Sequence, residues 1–195
     1  IIENEKVIFN NSIGDITALD RNKGFLLWQT PTQNNTIYAE SASLITSDLV
    51  LEKDSIYFSN NRNEFYSINK NNGFLNWKHN INSNIRPIIT DNIIFTVSNE
   101  GFLYFIDSLS GNIIKSNDLL INFKDKHRQL IRPIGIVLGS NNIFLSLNNG
   151  MLIVASIETG KITNTFKLDG SKLSKPYIFD KKLYIIKDNS IIEYN

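Results

Sequence analysis

The side chains able to do covalent or metal chemistry are few, and none stands at a working spacing. Cysteine is absent from all 195 residues, which removes thiolate nucleophiles, disulfides and cysteine-held metals. His79 and His127 lie in polar sequence beside Lys78 and Lys126. Neither has a second ligand or general base at the spacing that zinc binding or acid–base catalysis needs, so both read as surface residues. Asp20-Arg21-Asn22-Lys23-Gly24 alternates oxygen donors as a calcium loop does, but it lacks the loop length and the closing Glu, and reads as a turn. Thr159-Gly160-Lys161-Ile162-Thr163 ends like a phosphate-binding loop without the upstream glycine, in hairpin-like sequence. Asn10-Asn11-Ser12 and Asn34-Asn35-Thr36 fit the glycosylation pattern, which a chain this rich in Asn produces by chance. The expectation is no catalytic residue, no metal and no cofactor.

The elements that would position any site are strands. Twenty basic and 19 acidic residues leave a net charge of +1, without the basic stripe of a nucleic-acid binder, so no nucleic-acid partner is expected. A hydrophobic share of 42% is enough for a packed core. No apolar run reaches a membrane span; the best stretch, Leu130 to Gly139, carries Arg132 and Pro133. The chain opens at Ile1 directly in strand-like sequence and reads as trimmed at its N-terminus.

Four glycines frame an internal repeat: Gly24, Gly73, Gly111 and Gly160, spaced by 49, 38 and 49 residues. Four residues before each stand Asp20, Asn69, Asp107 and Ser156, and ten before each stand Gly14, Asn63, Gly101 and Gly150. Four residues after each stand Trp28, Trp77, Lys115 and Asn164. One unit reads as an apolar strand, a Gly or Asn turn, a second strand, an Asp-x-x-x-Gly turn and a third strand. The first turn needs a positive φ, which Gly accepts and Asn tolerates. In the second, the Asp side chain bonds backbone N–H groups ahead of it and Gly closes the loop. Arg86-Pro87, Arg132-Pro133 and Lys175-Pro176 each precede a strand start, where proline costs no ladder donor. The repeats fall at approximately 1–35, 44–82, 85–120, 131–169 and 174–195, the last incomplete. Strand-only units of this length predict an all-β chain, a β-propeller of four-stranded antiparallel blades with about four blades and part of a fifth. Asn117 to Leu130 is the one stretch that could hold a helical turn, at Asp118–Phe123, and it reads as a connection between blades. The longest connection is Thr32 to Ser47.

Gly14–Trp28 (GDITALDRNKGFLLW), Asn63–Trp77 (NEFYSINKNNGFLNW) and Glu100–Ile114 (EGFLYFIDSLSGNII) resemble the PQQ-like repeat of quinoprotein propellers. Pro31–Val50 and Ser171–Asn195 are similar to a connecting segment and the C-terminal strands of the BamB family, lipoproteins of the outer-membrane β-barrel assembly machine. The resemblance covers essentially the whole chain. It implies the C-terminal half of an eight-bladed propeller whose last blade is closed from elsewhere in the protein. It also implies a periplasmic, outer-membrane-associated scaffold with a possible lipid anchor on a preceding segment. The implied partner is the POTRA region of the barrel insertase. Trp28 and Trp77 match the family's blade-docking tryptophan; Lys115 and Asn164 depart from it. Together with Gly24, Gly73, Gly111, Gly160, Asp20 and Asp107 they are expected to be structural. The family's acidic contact pair is missing from the Thr32–Ser47 connection, which leaves Glu40, Ser41 and Ser43 as candidate contacts. Two alternatives stand beside this. One is the propeller of a sensor or secreted adhesion protein. The other is a degenerate quinoprotein dehydrogenase, which would need a calcium site, a catalytic Asp and a stacking Trp; Asp20 and Asp107 are already committed to turns.

Overall fold

The computed structural model describes residues 1–11, 14–32, 44–187 and 189–194. They divide into two compact units, Ile1–Pro87 and Ile88–Asn195. The first unit holds two four-stranded sheets. One is β1 (Ile2–Glu3), β2 (Lys6–Asn10), β3 (Ile16–Asp20) and β4 (Leu26–Thr30); the other is β5 (Val50–Glu52), β6 (Ser55–Asn60), β7 (Glu64–Asn69) and β8 (Leu75–His79). The second unit begins with β9 (Ile88–Thr90), β10 (Ile93–Val97), β11 (Phe102–Asp107) and β12 (Ile113–Asp118). A short helix, α1 (Asp125–Arg128), precedes a fourth sheet of β13 (Pro133–Gly139), β14 (Asn142–Leu147), β15 (Met151–Ser156) and β16 (Ile162–Lys167). A three-stranded sheet of β17 (Tyr177–Phe179), β18 (Lys182–Lys187) and β19 (Ser190–Tyr194) follows. The strands of each sheet lie side by side in chain order, and every ladder between them is antiparallel.

Turn chemistry sets this meander. The two-residue turns Asp91-Asn92, Ser140-Asn141 and Asp180-Lys181 hold both residues at positive φ, the twist a tight hairpin needs. Between the second and third strands, Gly14, Asn63, Gly101 and Gly150 have φ of +93°, +68°, +91° and +80°. Between the third and fourth strands one loop recurs four times. The Gly24, Gly73, Gly111 and Gly160 amides donate to the carbonyls of Asp20, Asn69, Asp107 and Ser156 at 2.8–2.9 Å. The side chains of those four residues accept from amides two or three positions ahead. Each loop ends in a register shift, between Ala18/Leu19, Ser67/Ile68, Phe105/Ile106 and Val154/Ala155. The bulge strengthens the local twist of the outer strand.

Burial follows strand position. The third strands are buried through their middles, whereas β16 is almost wholly exposed. In the first unit, Ile8, Ile16, Ala18 and Trp28 of one sheet pack on Ile56, Phe58, Tyr66 and Ile68 of the next. In the second, β13 lies against both β9 and β17, so the three sheets are gathered by their first strands. Leu152, Leu173, Leu183 and Ile185 form the core between the last two sheets. The stretch 118–130 is a connection with a helical turn placed later than its sequence suggests. Asp118 Oδ1 accepts the Leu120 amide at 2.9 Å, Leu119 and Leu120 are buried, and helix forms only at Asp125–Arg128.

Candidate functional site

The geometry concentrates in two places: the seams where one sheet's outer strand meets the next sheet's loop, and the anchors that hold the long connections. In the first unit, Trp28 is buried and its indole Nε1 donates to the Lys70 carbonyl at 3.2 Å. A Cβ added to Gly73 would stand 2.6 Å from the Trp28 ring, so only glycine lets that loop close onto it. Thr30 Oγ1 also donates to the Gly73 carbonyl. In the second unit the same repeat positions carry Lys115 and Asn117. Lys115 Nζ donates to the Glu158 carbonyl at 2.6 Å, and Asn117 Nδ2 reaches the Thr159 carbonyl at 3.4 Å. The ammonium lies 5.2 Å above the Phe105 ring, and a Cβ on Gly160 would meet Asn117 and Phe105.

In the first three repeats one large ring sits on one or the other strand of the inner–outer pair. Ala18 opposes Trp28, and Ser67 opposes Trp77. Phe105 opposes Lys115, and Val154 opposes Asn164. Where the outer strand has the large ring the inner partner is small; opposite Lys115 the inner strand carries the ring of Phe105, whereas Val154 and Asn164 carry none. Trp77 is half-buried and stacks on Phe65 at 5.9 Å, with Tyr57 at 5.8 Å and His79 at 5.4 Å. His127 is exposed on α1.

The long connections are pinned at their ends. Thr32 is buried, donates from Oγ1 to the Gly14 carbonyl at 2.7 Å and accepts the Tyr66 hydroxyl on its own carbonyl at 2.9 Å. Burial, followed by the neighbouring Glu64 carboxylate, pushes the Tyr66 phenol well above its ordinary range. Burial alone would also push Glu64 up. Hydrogen bonds from Asn60 and Lys78, with the Lys78 charge, outweigh it and hold the carboxyl below its ordinary value. The Lys78–Glu64 pair is 2.6 Å and Asn60 Nδ2 donates to Glu64 at 2.9 Å. At the far end, the Ile45 amide donates to Asn61 Oδ1 at 2.9 Å and Asn61 returns its own amide to Ile45 at 3.0 Å. In the second unit the Arg132 amide donates to Asn148 Oδ1 at 2.8 Å, and Asn148 donates from its amide to Arg132 and from Nδ2 to Leu130. Arg128 closes the 118–128 segment, bonding Asp118 Oδ2 at 2.6 Å and lying over the Phe102 ring. The Asn61 and Asn148 clamps escape a reading of the sequence, where Asn is common. Their signal is a fixed place two residues before Asn63 and Gly150.

Glu40, Ser41 and Ser43 lie outside the described residues. Among the described residues no group of three or more His, Asp or Glu is placed to hold a metal, and no helix is long and apolar enough to cross a membrane. The Asp107 carboxyl is held below its ordinary range by the Ser110 amide and hydroxyl, both of which donate to its Oδ1 within its own turn. A cleft of about 360 Å³ lies beside the second anchor, between Ile1, Ile8, Phe9 and Asn10 and the segment Thr46–Leu49.

Comparison with known proteins bears on the fold and the family. No curated protein matches the chain. Among solved structures, BamB from Moraxella catarrhalis superposes with a TM-score of 0.57 at 14% identity, over 98% of this chain and 70% of that one. The computationally designed Ika8 protein gives 0.73 at 12% identity, over the whole of this chain and 56% of Ika8. The Cps50 (Swd1) β-propeller domain of Myceliophteria thermophila gives 0.68 at 9% identity, over 94% of this chain and 59% of that domain. At such identities the likeness shows the fold alone: the sheets are those of a β-propeller. The family model described as outer membrane protein assembly factor BamB matches residues 1–117, the repeats that carry both tryptophans and their docking loop, and the chain belongs to that family.

Proposed function

We propose that the chain is part of a non-catalytic, periplasmic scaffold that assists the assembly and insertion of outer-membrane β-barrel proteins, by docking onto the POTRA region of the barrel insertase. The family match over residues 1–117 carries this reading. The architecture suits it: loops held on a rigid sheet framework are where recognition resides, and both long connections are anchored by paired hydrogen bonds. On this reading Trp28, Trp77, the four loop glycines, Asp20 and Asp107 keep blades in register, and Glu40, Ser41 and Ser43 are contact candidates. The protein bearing this chain is used as bait against solubilised outer membrane of its own source. Recovery of the insertase, reduced by Glu40→Arg, is the expected result. A folded bait that recovers no insertase overturns the proposal.

A further inference from the structure

Asn-Asn-Gly occurs twice in the chain, at Asn71–Gly73 and Asn148–Gly150, each time followed by a large apolar residue. An asparagine before glycine can lose its side-chain amide to its own backbone. The glycine nitrogen, unhindered by a side chain, gives up its proton and attacks the asparagine Cγ; ammonia leaves and a succinimide ring closes. Water then opens the ring to aspartate or to isoaspartate, whose backbone is one methylene longer.

Folding sets how freely the two reacting groups move, and the two copies differ. In the loop before β8, the Gly73 amide donates to the Asn69 carbonyl at 2.8 Å and Asn72 Oδ1 accepts the Phe74 amide at 2.9 Å. Nucleophile and electrophile are both held, and the Trp28 ring closes onto Gly73. In the turn before β15, the bonds on the same two groups are longer. The Gly150 amide reaches the Leu147 carbonyl at 3.3 Å, and Asn149 Oδ1 the Met151 amide at 3.3 Å. Lys167 adds a charge there. Its Nζ donates to the Asn149 carbonyl, which belongs to the same peptide unit as the Gly150 nitrogen. An ammonium on that oxygen stabilises the nitrogen anion that attacks. Among the described residues no cation stands on the Asn72 carbonyl. Asn72 is exposed and Asn149 half-buried, so exposure alone would order the two the other way.

We infer that Asn149 is a site of spontaneous deamidation, with the Gly150 nitrogen as nucleophile and Lys167 as the activating cation, and that Asn72 is its protected counterpart. The Gly150 carbonyl accepts the Leu168 and Asp169 amides at 2.9 and 3.1 Å, and Leu168 packs on the core between the last two sheets. An added methylene and a new carboxylate in this turn displace that carbonyl, so modification loosens the fifth sheet from the fourth.

The test incubates the intact protein in mildly alkaline buffer and follows each asparagine by peptide mass mapping, with electron-transfer fragmentation to identify isoaspartate. Asn149 should convert about tenfold faster than Asn72, as one weakened hydrogen bond on each reacting group gives. Lys167→Met should slow Asn149 about threefold and leave Asn72 unchanged, and Lys167→Arg should keep the native rate. In urea the two asparagines should converge and the effect of Lys167→Met vanish. Equal native rates, or Asn72 reacting first, overturns the inference. So does a gap that persists in urea, because flanking sequence then sets it. An Asn149 rate indifferent to Lys167→Met overturns the role of Lys167. Should Lys167→Met fail to fold, the comparison of native and urea rates in the unsubstituted protein still decides the site.

Discussion

The first unit closes its inter-sheet seam with an indole, the second with an ammonium. Trp28 lies against a glycine and donates to the Lys70 carbonyl; Lys115 lies over Phe105 and donates to the Glu158 carbonyl. The constant element is a donor aimed at a carbonyl of the next loop, together with one large ring per strand pair. The ring's address varies: β4 in the first sheet, β11 in the third. Loss of the tryptophan in the third repeat is thus matched by a ring on the neighbouring strand.

Removing the ring breaks either seam and should have the largest effect. Trp28→Ala and Phe105→Ala should each cost about 3–5 kcal/mol in urea unfolding, as truncation of a buried aromatic does. Phe105→Ala combined with Lys115→Trp should recover more than half of the Phe105→Ala loss if volume is shared across the pair; strictly additive losses would refute the exchange. Next come the loop glycines. Gly24 and Gly73 share a φ near +70°, but a Cβ on Gly24 meets nothing within 4 Å. Gly24→Ala should therefore cost about 1 kcal/mol from left-handed backbone strain alone. Gly73→Ala should cost about 2–3 kcal/mol, because the Trp28 ring must also shift. Equal losses in urea unfolding would show that the seam yields freely. Lys115→Met keeps the aliphatic stem and removes the donor, and should cost about 1 kcal/mol or less. A loss comparable to Trp28→Ala would make the polar contact, and not the ring, the seam's main support.

The smallest effect belongs to the Glu64 anchor. Its folded carboxyl titrates below the ordinary 4.5, so it contributes stability that is present above that value and lost as pH falls through the folded pKa. The Tm gap between the native protein and Glu64→Gln should be widest near neutral pH and close as the medium is acidified below about pH 4. At this partly exposed pair the gap corresponds to about 1 kcal/mol or less. A gap that widens on acidification would contradict the assignment.

Much of the fold was legible because its signals are local. Asp-x-x-x-Gly turns, Gly or Asn at positive φ and alternating apolar residues act within a few positions, and the sheets follow them. The polar seam was not legible, because Lys115 and Glu158 meet across 43 residues. Its trace, Phe105 opposite Lys115 where Ala18 stands opposite Trp28, appears only once strand register is known. The Asn61 and Asn148 clamps were hidden by an Asn-rich composition. The helical turn fell later than its apolar run suggested, because Leu119 and Leu120 are spent on packing and Asp118 turns the chain. For the contact residues, sequence offered only Glu40 and its neighbours.

Among the described residues, every ladder between named strands joins strands that are successive in the chain. Each four-stranded sheet therefore has all the strands of its meander once its last strand leaves the ribosome. Short loop closures of this kind fold fast and leave few unpaired edges exposed during synthesis. A whole sheet can also be gained or lost as a cassette without rethreading its neighbours, which gives a lineage a ready means of changing the number of repeats.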